Sequence, residues 1–395
     1  VMVAHLRGLL AGLPKDRLLA VDVFRGLAIT AMVLVNNPGN WQHVYPPLLH
    51  AQWHGWTPTD LIFPFFVFIV GISIVLARSK TSARHVSISA TVGNACIRAA
   101  KLFGLGLFLA VFYYNFRDPD FSWWQSRIEH IRVLGVLQRL ALVYLGCIVL
   151  ALICSWRGLI IAAALLLLGY TGILLYMPYS DGVQQYQGLL LFGNNAAAYV
   201  DAVVLGSQHV YYPTAQPFPF DPEGILSTMP AIASGVTGML AGVWLLSRKT
   251  VATHCAGLLL VGTVALLVGL WLDQFHPINK ALWSSTYVLM SSGLAAITLG
   301  VLLWILDIKR WRIWCGPLLV FGANSIAFFM FSGVFSRITV MLSVGEQSLK
   351  GWLYTHWFAP VFGNQLGSLM YACAVLMISY MLFLYLYRRG WFWKV

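Results

Sequence analysis

The sequence predicts an all-α, polytopic membrane bundle of about ten transmembrane helices, and three observations predict it. Apolar types make up 59% of the 395 residues and charged types only 10%, against roughly 25% charged in a soluble domain. The mean hydropathy is +0.76. Ten stretches reach the ~20 mostly apolar residues that a helix needs to cross the hydrocarbon: 18–37, 59–77, 95–114, 131–154, 158–177, 225–246, 254–273, 281–305, 314–336 and 366–387. This composition excludes a soluble oxidoreductase and a nucleic-acid binder. The net charge of +12 is therefore read as the basic loops of a membrane protein, and no nucleic-acid partner is expected. The six cysteines are scattered through apolar stretches without a CxxC and read as small packing residues.

Residues 1–17 carry Arg7, Lys15, Asp16 and Arg17 around a short, interrupted apolar stretch. No cleavable signal peptide is expected there; a cytoplasmic segment leading into the first span is. With that end inside, 17 lysines and arginines fall in inner segments and 6 in outer ones, the latter being Arg117, Arg127, Arg132, Lys280, Arg337 and Lys350. The bias puts both termini in the cytoplasm. A single transmembrane domain then covers 1–395, with no internal repeat and no appended soluble domain.

Polar groups inside spans are costly, roughly 2.5–3.5 kcal/mol for a charge at a helix centre, and usually face inward. In the first span, AVDVFRG spaces Asp22 and Arg25 at i,i+3, as a helix-start ion pair or with Arg25 as a fork for a phosphate. Asn36 and Asn37 end this span before Pro38-Gly39, as a C-cap or as a holder of a substrate carbonyl or a histidine tautomer. The outer loop that follows runs HAQWHGWTPTD into the second span, with His50 and His54 at i,i+4 among Trp53 and Trp56. Proton-handling groups thus stand at the mouth of a membrane helix, and the residues alone do not choose His50 over His54. The pair has no HExxH and no carboxylate at motif spacing, so no metal is expected.

Gln138 and Arg139 lie in the fourth span, too deep for Arg139 to be explained by the outer loop. The long outer loop 178–224 contains no Lys or Arg but has Asp181, Asp201, Asp221 and Glu223 among tyrosines. It reads either as a site for a sugar or amine acceptor or as a lid packed on the helices. Asp221-Pro222-Glu223 reads as the capped start of the sixth span, or as carboxylates that orient an acceptor amine. HPINKALWSSTYV places Lys280, Trp283 and Ser284 at the mouth of the eighth span. FGANSIAFF puts Asn324 and Ser325 inside the ninth, where polar pairs often join helices.

At these residues the chain resembles the heparan-alpha-glucosaminide N-acetyltransferase family, including its bacterial members linked to N-acetylglucosamine use, within the transmembrane acyltransferase group. The matching blocks are RLLAVDVFRGLAITAMVLVNN (17–37), HAQWHGWTPTDLIFPFFVFIVG (50–71), IRVLGVLQRLALVY (131–144), FDPEGILSTMPAI (220–232), PINKALWSSTYV (277–288) and GANSIAFF (322–329). The resemblance implies transfer of an acetyl group from cytosolic acetyl-CoA, a co-substrate, across the membrane to the amine of a terminal glucosamine or amino sugar. It makes His50 the active histidine and His54, where the family often has Asn, a neighbour. Asn36, Asp22, Arg25 and Arg139 fall on family positions.

From this resemblance the expected catalytic residues are His50, Asn36 as an oxyanion donor and Asp60 as the group that fixes the His50 tautomer. Asp22, Arg25, Gln138, Arg139, Lys280, Trp283, Ser284 and Asn324 are expected along the acetyl-CoA path. Trp53, His54, Asp221 and Glu223 are expected at the acceptor. The animal enzymes add a lumenal N-terminal domain and a first span, so a compact bacterial inner-membrane protein with a small periplasmic amino-sugar acceptor is the expectation here. Relatives imply a homodimer. The competing readings are a membrane O-acetyltransferase of a periplasmic glycan and an amino-sugar transporter, the latter for its intramembrane polar groups.

Overall fold

The computed structural model describes residues 18–82 and 87–393, so the expected cytoplasmic segment 1–17 lies outside the described residues. Among the described residues, nine helices are long and apolar enough to cross a membrane, and a bent pair makes up to a tenth. The spanning helices are α1 (Leu19–Asn36), α2 (Ile62–Ser82, entered through the turn Pro58–Leu61), α3 (Ile88–Val111), α4 (Val136–Ile153) and α5 (Trp156–Tyr176). After a short surface helix α6 (Ala196–Val204) come α7 (Thr228–Leu246), α8 (Val251–Leu272) and α9 (Ser285–Leu303). The bent pair is α10 (Gly316–Ala323) and α11 (Ser325–Met341); the short helices α12 (Leu349–Leu353) and α13 (Ala359–Phe362) then lead to α14 (Asn364–Arg388).

Three expected boundaries shift, each for a local reason. The fourth span does not begin at 131. Residues 131–135 are extended up to Gly135 (φ −151°, ψ −172°), which frees Arg132 to reach another loop. The sixth span does not begin at Asp221, whose carboxylate is taken by Arg132; the helix starts at Thr228. The ninth is not one continuous helix. It bends by 76° at Asn324, which leaves helical geometry (φ −125°, ψ 39°). The Asn324 amide then clamps the chain's later segment, donating to Trp391 O at 3.0 Å and accepting from Trp393 N at 2.9 Å.

The helices sort by exposure. α1, α2, α7 and α9 are mostly buried, whereas α3, α5, α8 and α14 turn leucines, isoleucines and valines outward, the side a bilayer would wet. Lipid tails are as apolar as these side chains, so close van der Waals contact has to hold the centre together. Glycine provides it where α2 crosses α7. A Cβ on Gly71 would overlap the carbonyl of Gly235, and one on Gly238 would overlap that of Phe68. Gly26 in α1 meets the carbonyl of Leu318 in α10 in the same way.

All loops joining odd-numbered crossings to the next lie on one face, here called the histidine face. There the 178–224 loop packs as a lid. Tyr179, Tyr186, Tyr199 and Phe218 stack edge and face at 5.4–6.3 Å between ring centres. Trp53 Nε1 donates to Leu190 O at 2.8 Å, tying the lid to the His50 loop.

The glycine contacts yield a clear expectation. Gly71→Val or Gly238→Val must push α2 and α7 apart and is expected to lower the apparent Tm in detergent by many degrees, since overpacking costs about 1–3 kcal/mol or more. Gly93→Ala, on an open helix surface with nothing near its Cβ, is expected to leave Tm unchanged or raise it, Ala being better than Gly in a helix by about 1 kcal/mol. Thermal unfolding of the three variants checks this.

Candidate active site

Asp60 is the fixed point of the histidine face. It sits in the turn that starts α2 and its side chain is buried. Oδ2 accepts the backbone N–H groups of Ala51 and Thr57, each at 3.0 Å. Oδ1 lies 2.6 Å from His50 Nδ1. A carboxylate there makes Nδ1 the protonated nitrogen and leaves Nε2 with its lone pair free. The His50 side chain is 52% exposed, so the imidazole is open to an incoming group.

Lys280 completes this centre from across the chain. Its Nζ stands 3.0 Å from His50 Nδ1, 3.3 Å from Nε2 and 3.5 Å from Asp60 Oδ1. Two backbone devices bring it there. Gly55 N donates to Ile278 O at 2.8 Å, in a parallel bridge between Gly55 and Asn279. Gly55 has φ 92°, a conformation that only glycine takes readily. Asn279, fully buried, donates to Trp53 O at 2.9 Å and accepts from Leu282 N at 2.8 Å, so one side chain holds both loops. The chain then turns through Trp283, a buried non-glycine residue at φ 51°, into Ser284, which caps α9 by accepting from Tyr287 N. Tyr287 donates back to Asp60 O at 2.5 Å. Burial lowers the pKa of Lys280, opposed by Asp60 and Glu223.

A second charged cluster lies behind the first. Arg132 grips Asp221 with both Nε (2.7 Å) and Nη2 (2.6 Å) and also bonds Glu223. Burial would lower its pKa, but these two acids raise it. Arg139, wholly buried, donates to Gly224 O at 3.0 Å and to Ser227, while its Nε and Nη1 have no hydrogen-bond partner among the described residues. Its guanidinium lies 5.2 Å from the Trp283 ring centre. Trp283 thus connects the acidic cluster to the Lys280 turn. Gln138, also buried, fills the space beside Gly106 and Gly135.

The other expected residues are placed differently. Asn36 is exposed at the end of α1, with no side-chain hydrogen bond among the described residues. Its neighbour Asn37 is the buried one, bonded to Val33 O at 2.7 Å and Ser332 Oγ at 2.8 Å. His54 lies 3.4 Å from Asn279 and beside Asp273 and His276; burial lowers the pKa of both imidazoles. Trp53 packs on Phe192 and Phe220. Asp22 and Arg25 pair at 3.1 Å, as the i,i+3 spacing predicts, and Arg25 also donates to Ser73 Oγ at 2.8 Å.

Arg25 opens onto a cavity of about 640 Å³ on the face opposite His50, with Arg78, Arg98, Ser73 and Asn94 on its walls. Arg78 and Arg98 are two of the 17 inner lysines and arginines, and here they share one cavity with Arg25. Phe66, Leu140, Ser325 and Ile326 line both this cavity and a narrow apolar space of about 10 Å³ bounded by Met32, Phe63 and Phe329. Along α1, Arg25, Ile29 and Met32 follow one face upward. Along α2, Ser73, Phe66 and Phe63 do the same, and Phe63 meets Trp283 at 5.3 Å. From Ser73 to Asp60 is about 20 Å of helix rise. Arg132 was also missed, although four acids in a loop with no Lys or Arg signal a cation from elsewhere.

Residues 17–201 match the family model described as heparan-alpha-glucosaminide N-acetyltransferase, catalytic. Across 437 residues the chain is 30% identical to the heparan-alpha-glucosaminide N-acetyltransferase of Homo sapiens, taking in 98% of this chain and 61% of that protein. The Mus musculus protein of the same name is 27% identical over 426 residues, with 96% and 61% covered. The chain thus spans 61% of the length of the curated relatives it matches. The family-model match contains His50 and Asp60; Lys280 comes from outside it.

Removing Arg132 would strand two buried carboxylates. Arg132→Met is expected to lower stability by about 3–5 kcal/mol, as breaking a buried pair does. Burial already holds the Asp221 carboxyl pKa above its unfolded value and is less opposed without the arginine, while Arg139 and Lys280 still favour ionised Glu223, so the penalty is present when Asp221 ionises. The loss is therefore expected to be smaller at about pH 5 than at about pH 8. Thermal unfolding of both proteins at the two pH values measures it.

Proposed function

Because the chain belongs to the heparan-alpha-glucosaminide N-acetyltransferase family, we propose that it moves an acetyl group from acetyl-CoA, bound from the cytoplasm, to the amine of a glucosamine or other amino sugar on the far side of a bacterial inner membrane. The observation that carries the proposal is the alignment of two features. An arginine-walled cavity of about 640 Å³ opens on one face. The His50–Asp60–Lys280 centre stands on the other, and between them lies only a narrow apolar space of about 10 Å³ beside Met32, Phe63 and Phe66. Acetyl-CoA has a matching polarity, with phosphates at one end and a thioester at the end of a long neutral arm. Arg78 and Arg98 with Arg25 suit the phosphates, and in this reading the side chains of Phe66, Met32 and Phe63 move aside to admit the arm along the narrow apolar space they line. The excess of Lys and Arg on the cavity face supports its being cytoplasmic.

In the proposed step the acceptor amine attacks the thioester carbon while its proton passes to His50 Nε2. The C–S bond breaks, CoA leaves as the thiolate, and the imidazolium returns the proton to sulfur. Asp60 keeps Nδ1 protonated and stabilises the imidazolium. General-base help of this kind is worth typically 10²–10⁴-fold. Lys280, next to Nε2, takes the role first expected of Asn36 and donates to the developing oxyanion. Direct transfer is favoured over an acetyl-histidine. Lys280 Nζ stands 3.3 Å from Nε2 and crowds the place that an acetyl group on that nitrogen would take. Trp53 and His54 stand on the acceptor side of the centre; Asp221 and Glu223 act through Arg132 rather than on the acceptor.

Release of CoA from acetyl-CoA plus glucosamine tests the reading. His50→Ala is expected to lose at least about 10²-fold in kcat; a wild-type rate in this variant would sink the assignment. A pure transporter would release no CoA, and an O-acetyltransferase would ignore the amine. Labelled acetyl-CoA without acceptor is expected to leave no stoichiometric acetyl-enzyme.

Arg98→Gln is expected to raise the KM for acetyl-CoA about tenfold, the scale of one charge-assisted bond. The same variant should use S-acetyl-pantetheine, which lacks the nucleotide, as wild type does. Equal KM changes for the two donors would place the phosphates elsewhere.

A further inference from the structure

On the histidine face, away from the centre just described, Lys350 occupies an unusual position. It lies in α12, between the end of α11 and the start of α14, and is only 9% exposed. Its Nζ stands 6.0 Å from the ring centres of both Trp41 and Tyr371. Tyr371 is two turns inside α14, so the ammonium lies between that helix and the exposed Trp41 ring. No carboxylate pairs with it among the described residues. Burial is the sole cause lowering its pKa, to about 8, with no acid pulling the other way. A buried cation is ordinarily paired, and its ring contacts give only part of that stabilisation.

The surroundings are built rather than incidental. The segment 39–42 is fastened to α14: Gly39 N donates to Ser368 O, and Asn40 N and O both bond Ser368 Oγ, all at 3.0 Å. Gly39 is needed for this approach, because a Cβ there would stand 2.8 Å from Tyr354 and 3.0 Å from Tyr371. The anchoring fixes Trp41, whose ring is still 56% exposed, beside the lysine. Together they border a shallow, open surface groove that Arg117, Gln42, Gln347 and Thr355 also line. Glu346 is on its wall as well, but it is not among the groups that act on Lys350. None of the lining residues belongs to the His50 centre.

We propose that Lys350 is the anchor of a separate anion-binding site, which takes a phosphate or carboxylate group while the body of the ligand lies against Trp41. Arg117 at the rim adds a second positive charge, and the amides supply hydrogen bonds to the ligand's polar atoms. Two sources share this chemistry: the headgroup of an anionic lipid and an acidic sugar in solution. The site does not depend on the acetyl-transfer reading, since it uses neither His50 nor the arginine cavity.

The lysine's own reactivity tests the proposal. Protein in phosphatidylcholine nanodiscs is labelled with acetic anhydride over a pH series, and Lys350 is followed by peptide mass spectrometry with exposed Lys249 as reference. Without an anion, Lys350 is expected to label with a midpoint near pH 8, because burial holds its pKa at about 8. A bound anion favours the ammonium, so the midpoint should rise by a unit or more, slowing Lys350 labelling at neutral pH about tenfold. The reference lysine should not change. The probes are glucuronate, inorganic phosphate, and nanodiscs containing phosphatidylglycerol. Protection only in the last assigns a lipid headgroup, and protection by either soluble anion assigns an acidic small ligand. Trp41→Ala should weaken protection by glucuronate more than by phosphate. Unchanged Lys350 labelling with all three probes would overturn the proposal.

Discussion

The Asp60 carboxylate is the interaction on which the histidine face depends. One buried group collects the N–H of Ala51, the N–H of Thr57, the His50 ring and the Lys280 ammonium. It therefore fixes the start of α2, the loop before it and the turn before α9 at a single point. Hydrogen bonds to an ionised acceptor are roughly twice as strong as neutral ones, and here three come from one loop, beside the bonds that tie it to the lid and to the turn before α9. The same carboxylate sets which His50 nitrogen carries the proton. Structure and chemistry on this face thus share one anchor.

Around that anchor, charges are arranged in a relay of contacts rather than as isolated pairs. Glu223 and Asp221 neutralise Arg132; Arg139 lies beneath them and against Trp283; Trp283 turns the chain from Lys280 into α9. The wholly buried arginine is tolerable because acids and a ring face surround it. This leaves Lys280 the cation that faces His50. On the opposite face Arg78 and Arg98 line open space together with Arg25, which also holds Asp22 and Ser73.

Much of this was legible in the sequence. Composition and span length gave the class, and nine of the ten spans appear as continuous helices close to their expected bounds. The i,i+3 pairing of Asp22 with Arg25 followed from helix geometry alone. What stayed hidden was what the chain brings together over long distances. Lys280 stands 230 residues from His50, so position suggested only a helix mouth. Asn36 and Asn37 could not be told apart, since one residue of helix rotation decides which of them turns inward. Arg132 was counted only as an outer charge, at the edge of an expected span that in fact starts after Gly135, and nothing in its position named Asp221 and Glu223, 89 and 91 residues away, as its partners. The bend at Asn324 carries no proline or glycine at that position; a side-chain amide satisfying distant backbone groups makes it.

The Gly55–Asn279 bridge has a consequence for how the protein comes into being. The histidine and its carboxylate are complete once α2 has been threaded into the bilayer, but the lysine arrives only with the segment before α9. During synthesis the histidine loop must therefore wait, without its partner strand, while five further helices are inserted and folded over. Until Asn279 docks on Trp53 O, the loop lacks the bond that sets its distance from the lysine. Competence is thus a late event of biogenesis, and a chain stalled partway through the translocon holds an imidazole with no fixed cation beside it.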